Sequence, residues 1–237
     1  MSLQSAMVLA AGFGTRMGAL TRTRPKPLLT VAGRALIDHA LDTAAAAGVR
    51  RAVVNLHYLG AQIRAHLAAR TAPEIAFSDE APEILDTGGG VVQALPLLGP
   101  GAFFALNSDA VFAGRNPLEV LAGAWQPARM DALLLLVPAA RARAYTRPGD
   151  FFLDEEPGAP RRRGEAPAAP LVFSGAQILA PQALANTPPG PFSLNLVWDR
   201  LIGEGRLAAV TYPDDWVDVG TPEGLAEAGR ALAAAGA

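Results

Sequence analysis

The 237-residue chain has no cysteine, a single lysine, three histidines and few aromatic residues, which make up 6% of it. Without cysteine, disulfides, thiol catalysis and cysteine-based metal sites are excluded, and a reducing compartment is permitted without being required. The histidines, His39, His57 and His66, stand outside metal-ligand spacing with one another, and no nucleophilic triad is apparent. Long apolar runs are missing as well. The longest, Ala132 to Ala140, falls well short of the ~20 residues that cross a bilayer. Ala6 to Ala11 is too short for a signal-peptide core, lacks a basic flank and runs into Gly12, so it reads as a buried strand. Charged residues amount to 18% against 51% hydrophobic, and the formal net charge is -2 at pH 7. That balance argues against disorder and against a surface built for phosphate backbones. The expectation is a cytoplasmic protein with no nucleic-acid partner and no membrane association.

What is present is an α/β pattern. Short apolar runs at Ala6 to Ala10, Ala52 to Leu56, Glu74 to Ser78, Ala102 to Leu106 and Ala132 to Val137 are each bounded by Gly, Pro or polar residues. Helical patterns lie between them at Ala35 to Ala47, ended by Gly48, at Leu59 to Ala69, and at Pro117 to Ala124 with proline in the first turn. Alternation of this kind predicts a mostly parallel, Rossmann-like sheet flanked by crossover helices. From Ala139 to Pro170 the pattern dissolves, and a hairpin or flexible excursion over the sheet is expected there. Within it Arg161-Arg162-Arg163 reads as a solvated charge run. Order returns with Leu171 to Leu179, a helix near Leu194 to Glu204, a strand at Leu207 to Thr211 and a last helix opened by Thr221-Pro222-Glu223.

Of the 20 basic residues 19 are Arg, and the exception, Lys26, lies within Arg24-Pro25-Lys26-Pro27. A compact ammonium suits a site fitted to one phosphate oxygen, where the wide guanidinium fork does not. Chance survival of one lysine in an arginine-biased sequence is the plain alternative. The first strand delivers Ala10-Ala11-Gly12-Phe13-Gly14-Thr15-Arg16-Met17. Small residues after a buried strand let backbone N–H groups approach an anion, and Arg16 adds a charged fork. A dinucleotide fingerprint would need glycine where Met17 stands, and a Walker loop would need Gly-Lys-Ser/Thr, which is absent. By itself Gly12-x-Gly14 is also compatible with a tight strand-to-helix turn.

Together with Pro25-Lys26-Pro27-Leu28, this loop resembles the hallmark of the sugar-1-phosphate nucleotidyltransferase family, whose Gly-rich loop ends in Thr-Arg-Met before Pro-Lys-Pro-Leu. The resemblance implies a fold of the nucleotide-diphospho-sugar transferase type, with a small β-rich excursion on the sugar side. It implies that Ala10, Ala11, Gly12, Gly14, Thr15, Arg16 and Lys26 hold the triphosphate, Arg16 countering the leaving pyrophosphate and Lys26 the α-phosphate as the catalytic pair. Asp86-Thr87-Gly88-Gly89-Gly90 could be a helix-opening turn, yet in the family this segment borders base and ribose, making Glu83, Thr87 and Gly88 candidate nucleoside contacts.

Asn107-Ser108-Asp109 follows an expected strand at the edge where ligands of open α/β sheets bind, although Asp109 alone could be a turn aspartate. Far downstream, Trp216-Val217-Asp218-Val219-Gly220-Thr221 sets a second acid between apolar residues, where a buried carboxylate needs a donor or a cation. The family pairs these two acids as ligands of Mg2+, with Ser108 here replacing its usual glycine. A sugar phosphate is already an anionic nucleophile, so alignment and charge neutralisation suffice for the transfer.

Gly149-Asp150-Phe151 and Phe173-Ser174-Gly175 are similar to sugar-contacting pieces of small bacterial members that act on N-acetylmuramate-1-phosphate with UTP in cell-wall recycling. The implied sugar-side residues are Asn107, Asp150, Ser174 and Gly175. One departure removes a positive charge: where those enzymes read Phe-Lys-Leu, this sequence reads Phe192-Ser193-Leu194. Mannose-1-phosphate guanylyltransferase, using GTP, is the neighbouring pattern, and a nucleotide sensor without turnover is the alternative from another class. One domain is expected over residues 1–237, with about 1–138 taking the nucleotide and about 139–237 the sugar, and with no room for an appended domain.

Overall fold

The computed structural model describes residues 3–154 and 157–235. In chain order the first part holds β1 (Ser5–Leu9), a small hairpin of β2 (Thr30–Val31) and β3 (Arg34–Ala35), α1 (Leu36–Ala46), β4 (Arg51–Leu56), α2 (Gly60–Leu67), β5 (Glu74–Asp79), α3 (Asp86–Leu98), β6 (Phe103–Asn107), β7 (Ala110–Ala113), α4 (Pro117–Ala124) and β8 (Ala132–Pro138). The second part holds β9 (Ala142–Arg143), β10 (Phe151–Phe152), β11 (Arg161–Arg162), β12 (Leu171–Leu179), α5 (Leu194–Gly203), β13 (Leu207–Thr211), β14 (Asp215–Asp218) and α6 (Pro222–Ala235).

Strands β5, β4, β1 and β6 lie side by side and parallel, as short apolar runs joined by helices require. The sheet then continues through β12, antiparallel to both β6 and β8, and ends with β13 parallel to β8. Successive residues of a strand face opposite sides. Met7, Val53, Phe103, Ala105, Leu134 and Leu136 therefore pack under α3 and α5. Their neighbours Phe104, Leu106, Leu133 and Leu135 pack under α4, while Val8 and Val54 meet α1 and α2. A run such as Leu133 to Val137 is apolar throughout because both of its faces are covered.

The excursion is a hairpin: β10 pairs antiparallel with β11, and Phe151 pairs with Leu171 at the start of β12. Two features were invisible to the hydrophobic pattern. Asp86 to Leu98 is a helix despite three consecutive glycines, and β7, β14 and β9 form a separate small sheet under α6. Both lie beside the open end of the main sheet. No helix among the described residues is long and apolar enough to cross a membrane.

Candidate active site

β1 and β6 end level with each other, Leu9 opposite Asn107, and the Ser108 N–H closes the gap by donating to the Leu9 carbonyl at 3.1 Å. Past these carboxyl ends lies a cavity of about 310 Å3. Ala10, Ala11, Gly12, Gly14, Thr15 and Arg16 line it as the chain leaves β1, and Lys26 and Thr87 face it from other segments. The reason Lys26 reaches it is local. Pro25 and Pro27 flank it in a short 3-10 turn over Lys26–Leu28, and its side chain is only 10% exposed, ion-paired to Asp109. Gly14 makes room for the stem: it sits at φ 65, and a Cβ there would lie 2.8 Å from the Lys26 Cβ.

Two polar groups in this wall, Asn55 and Glu80, have no role that the sequence reading assigned. Glu80 is 1% exposed, yet accepts from Asn55 Nδ2 at 2.6 Å and from the Leu85 N–H at 2.7 Å. Asn55 in turn accepts from the Ala10 N–H at 2.7 Å through Oδ1, fixing the backbone at the start of the loop. A buried polar side chain is tolerated when so paired. The available signal was a polar residue, Asn55, at the end of an otherwise apolar strand.

Glu83 and Gly88 stand differently from their neighbours. Glu83 is exposed and does not line the cavity, whereas Glu80 does. Gly88 is buried under Phe192, whose ring carbon would lie 2.2 Å from an added Cβ. Its N–H and that of Gly89 donate to the Phe192 carbonyl at 2.8 and 3.2 Å, answering N–H groups that a helix start leaves without partners. Gly90 is equally committed, since a Cβ there would meet Glu80 Oε1 at 2.5 Å. The glycine cluster thus serves helix docking, and only Asp86 and Thr87 of this segment face the cavity.

A second cavity of about 390 Å3 continues from the first, sharing Arg16, Thr87, Asn107 and Asp109. Asp150, Ser174 and Gly175 line it together with Asn107. Its opening follows from a break in β12: the pairing register with β8 shifts between Phe173 and Gln177, and Gly175 at φ 84 lies against Asn107. Asp150 is held there by the Phe173 N–H at 2.9 Å. Tyr145 reaches toward it at 3.5 Å, and burial raises the phenol's pKa, with the Asp150 charge adding to the shift.

Asp218 enters this wall from β14, and Asp109 immediately precedes Ala110, the β7 residue paired with Asp218. The two acids, far apart in sequence, thus front one cavity, Asp218 from β14 and Asp109 from the turn before β7. Arg16 and Asp218 approach each other at Gly220, where an added Cβ would lie 2.4 Å from Arg16 Nη1 and 2.9 Å from Asp218 Oδ1. Arg147 Nη2 contacts Asp218 Oδ2 at 3.5 Å. The donor set suits a hard divalent cation, which takes one or two carboxylates and completes its shell with phosphate oxygens and water. Among the described residues no group of three or more His, Asp or Glu side chains is placed to hold a metal, and Asp109 and Asp218 line the second cavity together with Asp86 and Asp150.

Arg161-Arg162-Arg163 is not the solvated charge run expected. Arg161 stacks on Phe152 at 4.3 Å, and Arg163 donates to the Gly149 and Ala166 carbonyls at 3.2 and 2.8 Å. Arg162 faces the second cavity. Period-2 alternation in the β10–β11 hairpin turns it inward, which a two-residue strand is too short to announce.

The family profile described as the MobA-like NTP transferase domain matches residues 6–187. The chain is 45% identical to the N-acetylmuramate alpha-1-phosphate uridylyltransferase of Caulobacter vibrioides, covering 97% of both chains. It is 36% identical to the protein of the same name from Neisseria meningitidis, over 97% of this chain and 98% of that one. Among solved structures, UDP-glucose pyrophosphorylase complexed with UDP-glucose superposes with a TM-score of 0.80 at 18% identity, covering 98% of this chain and 99% of that one. That last likeness concerns the fold.

Proposed function

The chain belongs to the MobA-like NTP transferase family, and from that premise we propose that it transfers UMP from UTP to N-acetylmuramate-1-phosphate, releasing pyrophosphate. One observation carries the reading. Arg16 and Asp109 line both cavities, with Lys26 on the first and Asp218 on the second, so that a triphosphate in one and a sugar phosphate in the other would have their reacting atoms at the shared wall.

In the transfer, an oxygen of the sugar phosphate attacks the α-phosphorus of UTP, and the bond from that phosphorus to the α,β-bridging oxygen breaks. No base is required, since the attacking oxygen is already ionised. What the protein supplies is placement and positive charge. The Gly12 to Thr15 backbone cradles the phosphates, Arg16 meets the departing pyrophosphate, and Lys26 leaves Asp109 for the α-phosphate. Asp109 and Asp218 would hold Mg2+, which when bound neutralises phosphate charge. Asn55, by fixing the Ala10 N–H, positions the backbone beside the base. Asn107, Asp150, Ser174 and Gly175 contact the sugar.

The test is pyrophosphate release with Mg2+ and purified protein. UTP with N-acetylmuramate-1-phosphate should turn over well above GTP with mannose-1-phosphate. The reverse order would transfer the assignment to a guanylyltransferase, and no release with either pairing would leave a nucleotide sensor.

A further inference from the structure

One wall of the second cavity, apart from the residues shared with the first, is basic and aromatic. Arg162 lines it beside Ser193, Asn195 and Trp198, none of which touches the first cavity. The sugar's phosphate must lie at the shared boundary, because its oxygen attacks a phosphorus held there by Lys26 and Arg16. Whatever faces Arg162 is therefore a part of the sugar remote from the phosphate.

Arg162 is built as a fixed cation. Its Nε donates to Asp199 Oδ1 at 2.7 Å and its Nη2 to the Asn195 carbonyl at 3.2 Å. Its guanidinium lies 4.9 Å from the Phe151 ring centre and 5.3 Å from that of Trp198. These contacts fix the plane of the fork and leave Nη1 without a partner among the described residues. Only 30% of the side chain is exposed, whereas its partner Asp199 is 60% exposed. Asp199 thus sets the orientation from the solvent side, where its charge is largely screened. Of the other charges on this cavity, Arg147 pairs with Asp218, Asp150 accepts from the Phe173 N–H and Asp109 pairs with Lys26, while Arg16 lies on the wall shared with the first cavity. A preorganised guanidinium with a free edge recognises a carboxylate bidentately.

We propose that Arg162 anchors a carboxylate borne by the sugar itself, and so selects a lactyl-ether sugar phosphate over the neutral sugar phosphate. It supplies the positive charge that Ser193 does not. The proposal rests on the N-acetylmuramate reading, where that carboxylate is the lactyl group.

The experiment compares kcat/KM for N-acetylmuramate-1-phosphate and N-acetylglucosamine-1-phosphate, which differ by the lactyl ether alone, with UTP and Mg2+. Arg162→Gln should lose about 10- to 100-fold on the lactyl substrate, mainly through KM, the range expected for one charge-assisted contact. Its activity on the neutral substrate should change less than about threefold. Arg162→Lys, which keeps the charge and loses the fork, should fall between the two on the lactyl substrate only. The ratio of the two substrates within one variant does not depend on how much of it folds, so loss of packing on Phe151 and Trp198 cannot imitate the result. Equal losses on both substrates, or an unchanged ratio, would overturn the role of Arg162 while the wild type still preferred the lactyl substrate. A wild type without that preference would overturn the substrate reading and the anchor with it.

Discussion

At Lys26 the proposed chemistry depends on a shape that arginine cannot reproduce. Its stem runs past Gly14, and its ammonium is buried against Asp109. An arginine would have to seat a planar fork where a compact ammonium, only 10% exposed, is held against Asp109. Lys26→Arg should therefore lower kcat by roughly 10²-fold or more despite conserving charge, the scale of a lost transition-state donor. Steady-state pyrophosphate release measures it, and a near-normal rate would make the lone lysine an accident of composition. Asp109→Asn conserves volume at a side chain 30% exposed, so the fold should survive while kcat drops on the order of 10²–10³-fold. Circular dichroism and kinetics on the same sample check both halves. Because the two side chains touch, their losses should not add: the double variant should be little worse than either single one.

At the scale of elements, the active-site frame hangs on the docking of α3 against the start of α5. The Leu194 N–H donates to Thr87 Oγ1 at 3.0 Å, the Phe192 N–H to the Leu85 carbonyl at 3.2 Å, and the Phe192 ring fills the space a side chain at 88 would occupy. Gly88→Ala has a good helix former going into a helix, which by propensity alone would stabilise it. Overpacking against Phe192 should win, with a net loss of about 1–3 kcal/mol and a raised KM for the nucleotide, since Thr87 must shift with the helix. Denaturant unfolding gives the sign, and a stabilised variant would show that Phe192 yields freely. This junction explains what the sequence could and could not disclose. Strands such as Ala132–Pro138 and helices such as Pro117–Ala124 announce themselves through apolar pattern, proline and flanking turns. The helix from Asp86 does not, because its glycines answer a tertiary neighbour, Phe192, lying 104 positions away from Gly88 in the chain. Arg16, Lys26, Asp109 and Asp218 were legible as motifs. The Asn55–Glu80 pair was not, because it exists only once β4 lies beside β5 and the residue that follows it. Arg162 was misread because a charge run has no facing until a strand register gives it one.

For the molecule as a whole, the cleft is a balance of charges that only both ligands together can reset. Asp109 is paired with Lys26 and Asp218 with Arg147, so a lone divalent cation must displace two cations to gain two carboxylates. A triphosphate changes that exchange: it offers Lys26 and Arg16 new anions, freeing the acids for the metal, and brings oxygen ligands of its own. Binding of metal and nucleotide should consequently be strongly coupled. Mg2+ alone, at millimolar concentration, should raise Tm by less than about 2 °C. UTP with Mg2+ at ~100 times its Kd adds about 2.7 kcal/mol of stability, or roughly 5–10 °C for a chain of this size. UTP with a chelator should fall well short of that. Differential scanning fluorimetry separates the three conditions. A full shift with Mg2+ alone would mean that the carboxylates are not held by their cations in solution, and that the metal site is formed before the nucleotide arrives.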